Sequence, residues 1–126
     1  MRNALLAASL ALLPSAALAG PADVNADAFY VDAKELMDKG VTAMFDKRTK
    51  PRMAQMKAAA EAAKAENAAA EKRGSPLYCV SAAERKKGMS AQQVVRMLGD
   101  MPAAQRKRST LAQAWRAALI REYPCG

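Results

Sequence analysis

The two cysteines of this chain, Cys79 and Cys125, constrain its fold more than any other feature of the sequence. Three roles are open to such a pair: a disulfide, two ligands of a metal site, or a redox centre. The 46 positions between them exclude a C-x-x-C redox motif. Because the chain has no histidine, Cys and His alone do not supply the four ligands of a structural zinc site. The choice then depends on the compartment.

Residues 1–19 have the pattern of a secretory signal peptide. Arg2 supplies a positive start, residues 5–13 form an apolar run ended by Pro14, and Ala17-Leu18-Ala19 is a small-x-small cleavage site. The alternative, a membrane anchor, is disfavoured because the apolar run is shorter than the ~20 residues that span a bilayer. We expect cleavage near Ala19-Gly20 and a periplasmic or secreted protein without a transmembrane segment.

The mature chain, residues 20–126, is predicted to be one small domain closed by a Cys79–Cys125 disulfide, because exported thiols meet oxidising conditions. Such a crosslink stabilises a loop of this length by about 4 kcal/mol in the loop-entropy model. That contribution is important because the core is thin. Alanine inflates the hydrophobic content of 52%, and only 14 of these 107 residues are Leu, Ile, Val or Phe.

The net charge of +8 is unevenly distributed. Residues 20–45 hold two lysines against five acidic residues, whereas residues 46–126 hold 17 basic against seven acidic residues. Nucleic acid is not an expected partner, since an exported protein rarely meets it. Two interpretations remain: a solvated basic surface that aids solubility, or contact with an anionic envelope polymer, a lipid head group or an acidic protein.

Strand patterns are nearly absent, and helical spacing recurs, so we predict an all-α fold, a bundle of about four helices. The first helix is expected to begin near Asn25 or Asp27 and to stop or kink at Gly40, with Met44 among its regularly spaced apolar residues. The second is a long alanine-rich helix over residues 51–73, with Pro51 in its first turn.

The third and fourth helices are marked by two capping boxes, Ser90-x-x-Gln93 and Thr110-x-x-Gln113. The fourth carries an apolar stripe that includes Trp115. The predicted disulfide therefore encloses a C-terminal helical hairpin within residues 78–126.

The sequence offers little for catalysis. Without histidine or a nucleophile motif, we predict no enzyme activity, no cofactor and no metal site. Asp32 and Glu35, one helical turn apart, are an example of a carboxylate pair that the sequence offers, but such pairs usually face solvent.

Two basic clusters flank the third helix, and both fall in predicted loops or helix starts. If they share a face, they form a positive rim that suits an acidic partner; the other interpretation is that they are simply solvated. The candidate partner-binding residues are Arg85, Lys86, Lys87, Arg106, Lys107 and Arg108.

The C-terminal half resembles the Rap/Tai-type periplasmic immunity domains, which neutralise peptidoglycan amidases delivered by type VI secretion. The resemblance rests on Tyr78-Cys79, the Ser90-x-x-Gln93 box followed by Val94-Val95, the segment 98–102 (Leu-Gly-Asp-Met-Pro) and the ending 118–125 (Ala-Leu-Ile-Arg-Glu-Tyr-Pro-Cys). It covers about 48 residues, and its motifs are mostly structural. It implies a shared helical hairpin, an envelope location and a secreted effector as partner.

Two functions follow as expectations. The first is an exported binding protein of the immunity type, which inhibits an envelope protein or a peptidoglycan-degrading effector. The second is an envelope structural or chaperone-like protein without a dedicated partner, whose methionine-rich core loosens to hold client proteins.

Overall fold

The computed structural model describes residues 19–126, and this part of the chain is all-α, as the sequence predicts. The signal-peptide prediction falls on residues 1–19, almost wholly outside the described residues. Within the described range there are six α-helices and two short 3-10 helices, at Pro21–Asp23 and Gly40–Phe45. The α-helices are α1 (Ala26–Asp38), α2 (Thr49–Lys72), α3 (Ala82–Lys87), α4 (Ala91–Gly99), α5 (Ala103–Lys107) and α6 (Leu111–Glu122).

Helix α1 begins where the sequence predicts. The Asn25 side chain accepts hydrogen bonds from the Asp27 and Ala28 amides at 3.0 Å, which satisfies two amides that an α-helix leaves unpaired. The same residue forms an isolated antiparallel bridge with Thr110. Two backbone hydrogen bonds support this bridge, Ala26 N–H to the Ser109 carbonyl and Leu111 N–H to the Val24 carbonyl. The starts of α1 and α6 are therefore joined directly.

The predicted stop of α1 at Gly40 is confirmed, whereas the position of Met44 differs from the prediction. The helix stops at Asp38, and Gly40 takes a left-handed conformation (φ 59°) that begins the 3-10 helix. Met44 consequently leaves the line of inward-facing residues and is 78% exposed, with Phe45 beside it at 91%. The expectation that Met44 continues the buried face of the first helix is wrong.

Helix α2 begins at Thr49, two residues before the predicted start at Pro51. Proline is tolerated there because the amides of the first helical turn have no intrahelical partner. The helix ends at Lys72, one residue before the predicted end, and Gly74 follows in a left-handed conformation. Its buried residues recur at steps of three and four: Ala59, Ala63, Asn67 and Ala70.

The Cys79–Cys125 disulfide is present. The segment that it closes is richer than a two-helix hairpin, because it contains α3, α4, α5 and α6. Helices α3 and α5 were expected to be loops or helix starts. Each has only five or six residues, too few for a recognisable apolar period, and Ser81 caps α3 through the Glu84 amide.

The core lies between α1, α2, α4 and α6. Its largest fully buried side chains are Met97, Leu98, Met101 and Leu111, and the single tryptophan, Trp115, is 3% exposed. Alanines of α2 and α6 complete it, so helices approach one another closely without large aliphatic side chains. In the described part of the chain, no helix combines the length and apolarity that crossing a bilayer requires.

Candidate functional site

An open groove lies beside α2. One cavity of about 800 Å³ is lined by residues of α2, α3, α4 and α6, and a second of about 610 Å³ is lined by residues of α1, the 3-10 helix Gly40–Phe45, α2 and α4. The two cavities adjoin at Met53, Met56 and Val94, which line both. We refer to the two together as the α2 groove.

The lining of the α2 groove is mostly apolar and rich in methionine. Met53, Met56 and Met89 line the larger cavity, and Met37 joins the first two in the smaller one. Methionine is flexible and polarisable, and it is over-represented on surfaces that accept varied partners. The buried rings of Tyr78 and Trp115 also reach the larger cavity.

Two polar attachments hold α2 beside the groove. Near its start, Arg48 and Arg52 both bind the Asp32 carboxylate of α1, at 3.0 and 2.6 Å. Near its end, the buried Asn67 side chain accepts from the Leu77 amide and donates to the Tyr78 carbonyl. Between these attachments α2 presents small residues such as Ala60, which leave the intervening space unfilled.

The attachment at the start of α2 is an ionic cluster. Arg48 bridges Asp32, Glu35 and Asp46, and Lys39 binds Asp46 at 2.6 Å. Hydrogen bonds from Arg48 and Lys39 hold the pKa of Asp46 far below its usual range. Hydrogen bonding to Arg52 likewise lowers the pKa of Asp32. Asp32 and Glu35, the candidate carboxylate pair of the sequence, therefore serve as joint acceptors for one guanidinium.

The two predicted basic clusters have separate locations. Arg85, Lys86 and Lys87 occupy the last turn of α3, where positive charge is favourable with the helix dipole, and Arg85 lines the α2 groove. In the second cluster, Lys107 and Arg108 are exposed.

Arg106 differs from the prediction of a partner-binding surface residue, because it is only 8% exposed and lies in the interior. Its guanidinium donates to Asp27 at 2.9 Å and to the Met101 carbonyl at 2.6 Å, and it lies 4.0 Å from the centre of the Tyr30 ring. A partner has no access to this side chain. Arg106 therefore does not contribute to a positive rim.

The groove itself was not predicted from the sequence. The available signal was the line Met53, Met56, Ala60 along α2, which an alanine-rich helix also produces by chance. Val41, an exposed apolar residue that also lines the groove, gave no signal of its exposure in the sequence.

The remaining chemistry of the described residues is sparse. Within residues 19–126, no three Cys, Asp or Glu side chains are grouped so as to hold a metal ion, and both thiols are in the disulfide. Burial raises the pKa values of Tyr78 and Tyr123, so both phenols at the groove stay protonated and neutral.

No family model matches the chain, and neither the curated proteins nor the solved structures contain a match to it.

Proposed function

We propose that this protein is an exported binding protein that receives a segment of a protein partner in the α2 groove. The observation that carries the proposal is the groove itself, an open concave surface lined by methionines and reached by the largely buried rings of Tyr78 and Trp115. Specific sites for partners combine such apolar anchors with a polar margin. Export is supported by the pattern of residues 1–19 and by the disulfide, which suits an oxidising compartment.

The immunity version of this proposal names the partner as a peptidoglycan-degrading effector. It rests on the resemblance of the C-terminal half to periplasmic immunity domains. The segment that carries the resemblance includes Tyr78, Val94 and Tyr123, and all three line the groove. In this version the protein binds the effector in the periplasm and blocks peptidoglycan hydrolysis.

The chaperone-like alternative is favoured by the methionine lining alone. Flexible methionines adapt to many sequences, and a holding protein needs such tolerance. In that case the groove binds client proteins weakly and without a fixed stoichiometry.

Site-specific photocrosslinking in the native host distinguishes these functions. A photoreactive residue replaces Met53, which lines the groove and is 67% exposed, and the matched control replaces Ile120, which is 38% exposed and lies outside the lining. We expect a single discrete crosslinked partner from position 53 and none from position 120. Many faint products from position 53 favour the chaperone-like alternative. Equal products from both positions, or none, contradict the groove as the binding site.

The immunity version has a further requirement. The discrete partner must be a peptidoglycan-degrading enzyme, and an equimolar amount of the purified protein must stop its release of soluble fragments from purified peptidoglycan. Continued hydrolysis at saturating protein refutes inhibition while leaving the binding site intact.

A further inference from the structure

We infer that the segment received by the α2 groove is an amphipathic helix with acidic residues flanking its apolar face. This inference rests on the proposed function of the groove as a protein-binding site and adds the chemistry of its occupant. Two independent observations carry it: the absence of a free backbone edge at the groove, and the charge along the two margins.

The walls of the groove select a helical occupant. They are built largely from helices, whose backbone amides and carbonyls are paired internally, and residues 19–126 form no strand whose edge a peptide would extend. An α-helix satisfies its own backbone hydrogen bonds and so needs no strand edge from these walls, which favours a helical occupant over an added strand. Apolar side chains of such a helix, three and four residues apart, then meet Met53, Met56 and Val94.

The margins of the groove supply the charge selection. Lys57 and Lys64 lie on the α2 margin, and Arg85 lies on the opposite margin, followed in α3 by Lys86 and Lys87. Among the described residues, no carboxylate forms an ion pair with Lys57, Lys64 or Arg85. These cations are therefore available to a partner.

Two carboxylates also line the groove and refine the pattern. Glu84 precedes Arg85 in α3, and Glu71 follows Lys64 by seven residues on the α2 margin. Along the α2 margin, Lys57, Lys64 and Glu71 therefore follow one another at intervals of two helical turns, or about 10 Å. An occupant with glutamates seven residues apart matches Lys57 and Lys64, and a basic residue one further interval along matches Glu71.

The alternative occupants fit less well. A second copy of the mature chain, residues 20–126, carries the same net charge of +7, so its approach is opposed by repulsion. A small amphiphile is better held by an enclosed cavity than by a groove open along one side.

Designed peptides test the inference on the exported, oxidised protein. The probe is an 18-residue helical peptide with leucines at helical spacing, glutamates at positions i and i+7, and no tryptophan. Its charge-reversed counterpart carries lysines at the same two positions. Trp115, the only tryptophan and part of the groove lining, reports occupancy by fluorescence, and calorimetry gives the stoichiometry.

We expect the acidic peptide to bind with a 1:1 stoichiometry and about tenfold more tightly than the lysine peptide. The glutamates form two solvated ion pairs with Lys57 and Lys64, whereas lysines at the same positions are repelled by them. The Lys57→Glu/Lys64→Glu double variant should reverse the preference. The matched control, Lys34→Glu/Lys47→Glu, makes the same charge change at exposed sites outside the groove and should keep the preference. Unchanged circular dichroism confirms that the variants are folded.

Several results overturn the inference. Equal affinity for the two peptides, unaffected by the double variant, refutes the acidic class while the groove stands as a binding site. A change of Trp115 fluorescence with anionic detergent monomers but with neither peptide identifies an amphiphile as the occupant. A dimer mass without peptide identifies a second copy. Failure of the proposed function itself appears separately, as loss of the crosslink at position 53.

Discussion

The buried cation at position 106 permits the sharpest test of how this thin core is held together. Arg106 joins three elements: Asp27 and Tyr30 belong to α1, Met101 connects α4 to α5, and Arg106 itself lies in α5. Replacement by methionine keeps most of the side-chain volume and removes the charge and the hydrogen-bond donors. Asp27 then loses its ion-pair partner, and the Met101 carbonyl loses the donor at 2.6 Å.

The expected cost follows from those losses. A buried carbonyl left without a donor costs about 1–3 kcal/mol, and removal of one member of a buried ion pair costs about 3–5 kcal/mol. The two contributions are not additive, and the Asp27 carboxylate, 17% exposed, regains some hydration. We therefore expect Arg106→Met to lower the free energy of unfolding by about 3 kcal/mol, a large part of the total stability of a small domain.

Urea denaturation, followed by Trp115 fluorescence and by circular dichroism, measures this loss. With a slope of about 1.5 kcal/mol per molar urea, the midpoint should fall by about 2 M. The matched control is Arg108→Met, the same change two residues away at an exposed position, which should shift the free energy of unfolding by less than about 0.5 kcal/mol. Equal midpoints for the two variants would refute the structural role of Arg106.

Three further predictions concern the other attachments. Asn67→Ala should lower the free energy of unfolding by about 2–3 kcal/mol, since the Tyr78 backbone loses partners, and Asn67→Asp should restore only part of it in urea melts. Because the pKa of Asp46 is lowered in the folded protein, its stabilisation is present above about pH 4 and lost as pH falls. The difference in melting temperature between wild type and Asp46→Asn should therefore narrow towards pH 2, and a constant difference contradicts the cluster. The Cys79→Ser/Cys125→Ser variant should have a free energy of unfolding lower by about 4 kcal/mol. Alkylation of two thiols in the protein before any reduction would disprove the disulfide.

Local signals in the sequence predicted local structure well. The Thr110-x-x-Gln113 capping box forms in both directions, since each bond joins residues three positions apart. At the other box, Ser90 accepts from the Gln93 amide as predicted, whereas the Gln93 side chain donates to the Tyr123 hydroxyl at 3.4 Å. The Gln93 side chain therefore hydrogen-bonds Tyr123 instead of the Ser90 backbone amide that the capping-box pattern predicts.

Features that depend on tertiary packing could not be predicted from the sequence. The alternation of charge and alanine along α2 does not reveal where the helix leaves space beside α3 and α4, so the groove was not predicted. The same limit explains Arg106, which looks identical in sequence to its exposed neighbours Lys107 and Arg108. Arg106 is buried because, in the folded chain, its guanidinium binds Asp27 and the carbonyls of Leu98 and Met101.

The bridge between Asn25 and Thr110 has a consequence for the order of assembly. The Asn25 side chain also donates to the Lys107 carbonyl, 82 positions away, so the start of α1 is completed by residues that lie far along the chain. Sequence-distant contacts of this kind slow folding because the intervening chain must first be ordered. We therefore expect the first helix to dock late in folding, once residues 107–111 are in place, and its apolar face to stay exposed until then.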